Sequence, residues 1–141
     1  MPAISGRAGE MMEAGESTKH VLIVDDDRVT CEMLETILVR AGYRATIAEN
    51  ALEAVLELQF RPVDVIVCDV RMPYVEGTDF YAQLTEELPA MARRVVFVTG
   101  LTDGATRTAL QDTGRPYLLK PVDAAELVRL VGTVATEASG P

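Results

Sequence analysis

Val63-Asp64-Val65-Ile66-Val67-Cys68-Asp69-Val70-Arg71-Met72-Pro73 is the stretch on which the fold turns. Five of the six residues from Val63 to Cys68 are apolar, and most are β-branched. That pattern predicts a strand buried on both faces, as in a parallel sheet. The strand meets a carboxylate at Asp69, and Met72-Pro73 soon after cannot continue a ladder. Open α/β sheets place their ligand sites at the carboxyl ends of such strands. Taken alone, the stretch is equally compatible with an aspartate that merely caps a loop.

The rest of the chain repeats the theme. Val21-Leu22-Ile23-Val24 is a second buried strand, ending in Asp25-Asp26-Asp27. A helical pattern follows with Met33, Leu34, Ile37, Leu38 and Ala41 on one face, closed by Gly42. Tyr43 to Ala48 reads as a strand of moderate strength. Asn50 and Glu53 form a capping box for a helix expected to carry Leu52, Val55 and Leu56 inward, stopped by Pro62. After the central strand, Gly77-Thr78 starts a helix with Phe80, Tyr81, Leu84 and Leu88 inward, ended by Pro89. Val95 to Val98 is a fourth strand and ends in Thr99-Gly100. A weaker helix spans Asp103 to Asp112, with Ala105, Ala109 and Leu110 as its apolar residues. Tyr117-Leu118-Leu119 is a short fifth strand ending in Lys120-Pro121. A second capping box, Asp123 and Glu126, opens a last helix that buries Leu127, Leu130, Val131 and Val134. Five strands alternating with helices predict a parallel α/β sheet with right-handed crossovers and helices on both faces.

Composition narrows the function. The 141 residues fit one domain with a real core. A formal charge of −9 argues against nucleic acid and acidic lipid, and suits a cation site or a basic partner. Cys31 and Cys68 fall in a helix and a buried strand, which reads as reduced core thiols and a cytoplasmic setting. No apolar run approaches the roughly 18 residues needed to span a bilayer, and residues 1–18, with two Ala-Gly-Glu triplets, read as a tail or linker. His20, the one histidine, precedes a strand and is expected to face solvent.

Asp25, Asp26, Asp69, Thr99 and Lys120 all fall at strand ends on one edge of the predicted sheet. Carboxylates about 4 Å apart at an effective dielectric near 20 repel by roughly 4 kcal/mol per pair. A divalent cation relieves that repulsion, and hard oxygen ligands suit Mg²⁺. Thr99 and Lys120 then supply a hydroxyl and a point charge for phosphoryl oxygens. Asp69, at the centre, is the candidate nucleophile, since aspartyl phosphates are a known covalent class. The plainer alternative is a Lys–Asp ion pair beside a solvated acidic loop.

With those five motifs in order, the chain resembles the receiver domain of two-component response regulators over about residues 19 to 137. The resemblance implies a flavodoxin-like, doubly wound (βα)5 fold with strand order 2-1-3-4-5. It implies that Asp69 accepts a phosphoryl group from a histidine kinase or phosphotransfer protein. It assigns Mg²⁺ to Asp26, Asp69 and the backbone carbonyl of Arg71, with Asp25 acting through water. Thr99 and Lys120 would contact the phosphoryl group, Tyr117 would be the switch aromatic, and the Lys120-Pro121 bond would be cis. A downstream protein would read the face formed by residues 101–137, and a second copy of the chain is a further candidate partner. Direct nucleic-acid binding and membrane insertion are not expected.

Thr99-Gly100, the Gly114-Arg115-Pro116 turn and the Lys120-Pro121-Val122-Asp123 stretch look most like receivers attached to hybrid histidine kinases. The expected layout is a tail or linker over 1–18, a receiver over 19–138 and a short tail over 139–141. A stand-alone regulator and a piece of a longer kinase both fit. Two rival functions use the same residues. An Mg²⁺-dependent phosphatase with an aspartyl nucleophile usually wants a second acid two residues on, where this chain has Arg71. A pseudo-receiver that never takes phosphate would not need the full set of chemical residues.

Overall fold

The computed structural model describes residues 18–72, 75–100 and 103–139. Five strands form one parallel sheet: β1 His20–Val24, β2 Arg44–Ala48, β3 Val65–Asp69, β4 Val95–Thr99 and β5 Tyr117–Leu119. Their order is β2-β1-β3-β4-β5, the doubly wound 2-1-3-4-5 arrangement. Every residue of β1, β3 and β4 is buried, which explains the apolar runs Val21–Val24, Val65–Cys68 and Val95–Val98 within them. The ladder of the central strand begins at Val65; ahead of it the Asp64 N–H donates to the His20 carbonyl at 2.8 Å.

Helices cover both faces. They are α1 Arg28–Arg40, α2 Ala51–Phe60, α3 Gly77–Glu87, the one-turn α4 Pro89–Ala92, α5 Gly104–Thr113 and α6 Ala124–Ser139. Alternate strand residues feed two separate cores. Leu22, Ile66, Cys68 and Phe97 pack with α2 and α3, while Ile23, Val65, Val67 and Val96 pack with α1 and α6. The chain is therefore a three-layer sandwich, and the sheet's carboxyl edge is the one edge toward which all five strands point.

Several inward-facing expectations need correction. In α2 the buried residues are Ala51, Ala54, Val55 and Leu58, whereas Leu52 and Leu56 are exposed. Small alanines let this helix approach the sheet closely, and that choice of face turns the two leucines outward. In α1 the inward residues are Cys31, Leu34 and Leu38; Ile37 is half-buried, while Met33 and Ala41 are exposed. Pro89 does not only end α3. It is the first residue of α4, where its missing N–H costs nothing.

His20 is not a solvent-facing residue. It is the first residue of β1 and is buried. Its ring Nε2 lies 2.7 Å from Thr46 Oγ1, and its backbone N–H donates to Asp64 Oδ2 at 2.7 Å. Burial and the nearby Arg44 and Arg61 charges push its pKa down, against the opposing pull of Asp64 and Glu57.

Candidate functional site at the carboxyl edge

Strand ends place the acids. Asp25 follows β1 directly, and its N–H donates to the Ala48 carbonyl at 3.1 Å, which extends the β1–β2 ladder by one step. Asp69 is the last residue of the neighbouring β3. Both are buried, while Asp26 is exposed. Carboxylate oxygens of Asp25, Asp26 and Asp69 lie within 4.8 Å of one another. Asp27, the third acid of the run, does something else. It caps α1 by accepting from the Val29 N–H at 3.2 Å and the Thr30 hydroxyl at 2.6 Å. Its own N–H donates to Asp25 Oδ1 at 2.9 Å, which fixes that carboxylate from behind.

Lys120 arrives from the far strand. Its N–H donates to the Thr99 carbonyl at 2.9 Å, joining the ends of β4 and β5. The following Lys120-Pro121 bond is cis, as the resemblance implied. The Lys120 ammonium sits 3.5 Å from Asp25 Oδ2 and 3.6 Å from Asp69 Oδ1. Thr99, which ends β4 and is buried, lies one strand over from Asp69. The sequence-predicted acids and the lysine thus meet at one place. Tyr117 pairs in register with Phe97, two residues before the Thr99–Leu119 pair, so it lies below Thr99 along the sheet. It is half-buried against the same core as Phe97. Arg71 is exposed, with its guanidinium 3.8 Å from Glu76. Pro73, Leu101 and Thr102 lie outside the described residues.

One ammonium does not neutralise three acids. Burial and the neighbouring Asp25 charge raise the Asp69 pKa to about 6, although Lys120 and the backbone N–H groups of Arg71 and Val70 pull it down. Asp25 is raised as well, chiefly by burial, against its hydrogen bond from Asp27 and the Lys120 charge. Two carboxyls are therefore held with an unmet demand for positive charge. That demand, the all-oxygen donor set and the partial exposure through Asp26 fit a hard divalent cation.

Gly77, expected from the sequence to start a helix, is also held to glycine by the acid site. Gly77 begins α3 and donates its N–H to the Val70 carbonyl at 2.7 Å. A Cβ there would stand 2.5 Å from the Asp69 carbonyl oxygen, so only glycine lets α3 start this close to the acid. The thiols are inert by comparison. Cys68 is fully buried and its pKa lies well above normal, while burial lifts Cys31 to about 11 as it donates to the Asp25 carbonyl at 3.1 Å.

Comparison with known proteins gives the same answer. Residues 21–132 match the response regulator receiver domain. The transcriptional regulatory protein ZraR of Klebsiella oxytoca is 30% identical over 103 residues, covering 73% of this chain but only 23% of its own length. An uncharacterised 14.6 kDa protein of Leptolyngbya boryana is 35% identical over 116 residues, covering 79% of this chain and 86% of its own. Among solved structures, the signal receiver domain of a signal transduction histidine kinase from Syntrophus aciditrophicus superimposes with a TM-score of 0.80 at 26% identity. That likeness covers 88% of this chain and 95% of the other. With its strand order, its acid pocket and a family match across most of its length, the chain belongs to the response regulator receiver domains, the phosphoacceptor modules of two-component signalling.

Proposed function

We propose that Asp69 accepts a phosphoryl group from the phosphohistidine of a histidine kinase or phosphotransfer protein. An Asp69 carboxylate oxygen forms the new P–O bond as the P–N bond of the donor breaks, and the departing imidazole nitrogen keeps that bonding pair. The observation that carries this reading is the Lys120 ammonium set within 3.6 Å of both Asp25 and Asp69. An ammonium so placed can hold phosphoryl oxygens beside the acceptor. Asp25, Asp26, Asp69 and the Arg71 carbonyl would hold Mg²⁺, which when bound supplies charge neutralisation for the incoming phosphoryl group. Thr99 would hydrogen-bond that group, and Tyr117 would report it to the partner face between 101 and 137.

The Lys120 ammonium stands 3.6 Å from Asp69, so a phosphoryl group arriving there would meet a cation already in place. β5 and α5, the least buried elements, would carry the response. A cytoplasmic setting follows from the need to meet a kinase's phosphohistidine, and no helix among the described residues is long and apolar enough to cross a membrane. The receiver would span 19–138, with residues 1–18 as tail or linker and 139–141 as a short tail. Attachment to a hybrid kinase is supported by the likeness to a receiver domain of a histidine kinase, and a free-standing regulator by the likeness to a protein of nearly this length.

The test is incubation with acetyl phosphate and Mg²⁺, followed by intact mass and by label location. One stable phosphoryl group on Asp69 is expected. Rapid release of inorganic phosphate with no label would favour the phosphatase reading. Neither label nor turnover would mean a pseudo-receiver.

A further inference from the structure

We propose that the groove between α1 and α6 takes the acidic stretch Glu10–Glu16 of the same chain, glutamates at its arginine end and methionines in its apolar part. The groove comes first. It has a volume of about 570 Å³, and Ile37, Ala124, Ala125 and Val128 line it together with Arg40 and Arg129. Small alanines on α6 leave the space open. Such a volume is in the range of ordinary binding clefts.

The groove has a direction. Both helices lead away from the carboxyl edge of the sheet, α1 from the end of β1 and α6 from the end of β5, so they run parallel. Their register is set where a Cβ on Gly132 would stand 3.5 Å from the Tyr43 hydroxyl. In that register Arg40 stands opposite Arg129, and Ile37 lies beside Ala125, about one turn nearer the carboxyl edge. Charge therefore gathers at the amino-edge end, with apolar surface beyond it. Neither guanidinium has an ion pair among the described residues. Two facing cations in a chain of net charge −9 ask for an anion between them.

The order of residues along the tail matches the order along the groove. The Lys19 carbonyl accepts from the Arg44 N–H at 2.9 Å, one residue after Tyr43, so the described chain begins at the arginine end. Leading back from Lys19, the first charged residue is Glu16, followed by Glu13, and then come Met12 and Met11. Three extended residues span about 10 Å, which separates Glu16 from Lys19. Glutamates thus meet the mouth and methionines the stretch beyond it, where an adaptable side chain suits an irregular apolar floor. The match runs along the groove and does not require charged and apolar side chains to share one face. A tether this short also gives a local concentration in roughly the millimolar range, so weak contacts suffice for the chain's own segment. A second copy would have to bring another −9 to the same place. Ala124 to Arg129 belong to the 101–137 face, so a partner reading that face would have to displace the tail. That consequence rests on the proposed function, whereas the docking does not.

The test is methyl NMR on the full chain labelled at Met, Ile and Val. NOEs are expected from the Met11 or Met12 methyl to those of Ile37 and Val128. Arg40→Glu with Arg129→Glu should weaken them at least about twofold, and adding Glu13→Arg with Glu16→Arg should restore them. Both arginines are exposed, and unchanged amide shifts in β1 and β3 check the fold. Absence of these NOEs overturns the proposal. Undiminished NOEs after the arginine reversal overturn it too, since the arginines would then select nothing. NOEs found only between differently labelled chains in a mixed sample would make a second copy's tail the occupant, with the same result. Labelling of Asp69 by acetyl phosphate, measured on the same samples, keeps failure of the docking distinct from failure of the acceptor reading.

Discussion

The carboxyl edge of the sheet joins two unequal halves. On one side, β1 and β3 are buried along their whole length, α1 buries Cys31, Leu34 and Leu38, and Gly77 fits α3 tightly against the Asp69 backbone. On the other, no residue of β5 is fully buried and α5 buries Leu110 alone. Asp69 belongs to the first half, Lys120 to the second, and the 3.6 Å ion pair bridges them. A receiver needs this asymmetry. The acceptor must keep its geometry before and after modification, while the elements that carry the signal must have an alternative state close in free energy.

The largest expected effect strikes the first half. Asp69→Asn preserves shape and removes the nucleophilic oxygen, so phosphoryl uptake from acetyl phosphate should fall to background with the fold intact. Label appearing undiminished on another residue would place the acceptor elsewhere. Asp26→Ala should slow uptake without abolishing it, because Asp25 and Asp69 remain.

Truncating one buried leucine in each half measures the inequality directly. Leu34→Ala should cost about 2–5 kcal/mol of global stability in urea unfolding. Leu110→Ala should cost less than Leu34→Ala and should speed amide exchange selectively in Gly104–Thr113. Equal losses in the two variants, with uniform exchange, would show that α5 is as firmly held as α1.

How much of this was legible in the sequence follows the same division. β1, β3 and β4 announce themselves because burial on both faces leaves an uninterrupted apolar run. Their terminal residues then locate the site, since a parallel sheet sends all its carboxyl ends to one edge. The facing of α2 was not legible. A helix that packs through Ala51 and Ala54 leaves its larger Leu52 and Leu56 outside, and hydrophobicity alone assigns them the other way. His20 misled for a related reason, as a residue beginning a strand can still be enclosed when a neighbouring carboxylate and hydroxyl satisfy it. The start of α4 did carry a readable signal in Pro89, a favoured first helical residue.

His20 offers a smaller test, at the far end of β1 from the acids. Its folded pKa lies below the ordinary value of 6.5, with burial as the main cause. A lowered histidine pKa means that the unfolded chain binds the proton more readily. The stabilisation is therefore complete above pH 6.5 and is lost as pH falls below that value toward the folded pKa. Arg44 and Arg61 oppose protonation, and Asp64 and Glu57 favour it. Between pH 7 and pH 5 the urea midpoint of the parent should fall relative to that of His20→Gln; Asp25 and Asp69, whose raised pKa values favour the folded state as pH falls, act in both proteins and cancel in the comparison. Parallel curves would remove His20 from the account and leave Asp25 and Asp69 as the titrating groups of the firm half.

The finest test concerns how the two halves communicate. Phosphorylation adds roughly one and a half to two negative charges and three acceptor oxygens at Asp69. Thr99 ends the adjacent strand, and a shift of its side chain toward a phosphoryl group would free space on the face it shares with Phe97 and Tyr117. Tyr117 is half-buried on the loosely held β5 and is the large side chain placed to respond. Thr99→Ala should therefore still accept phosphate, more slowly, yet fail to pass the change on. Amide exchange with and without beryllofluoride reads this out. In the parent, protection should change across 103–120; in Thr99→Ala those changes should be much reduced while those near Asp69 persist. Changes of equal size in both proteins would mean that the loose half senses the phosphoryl group through Lys120, whose ion pair with Asp69 is the other bridge between the halves.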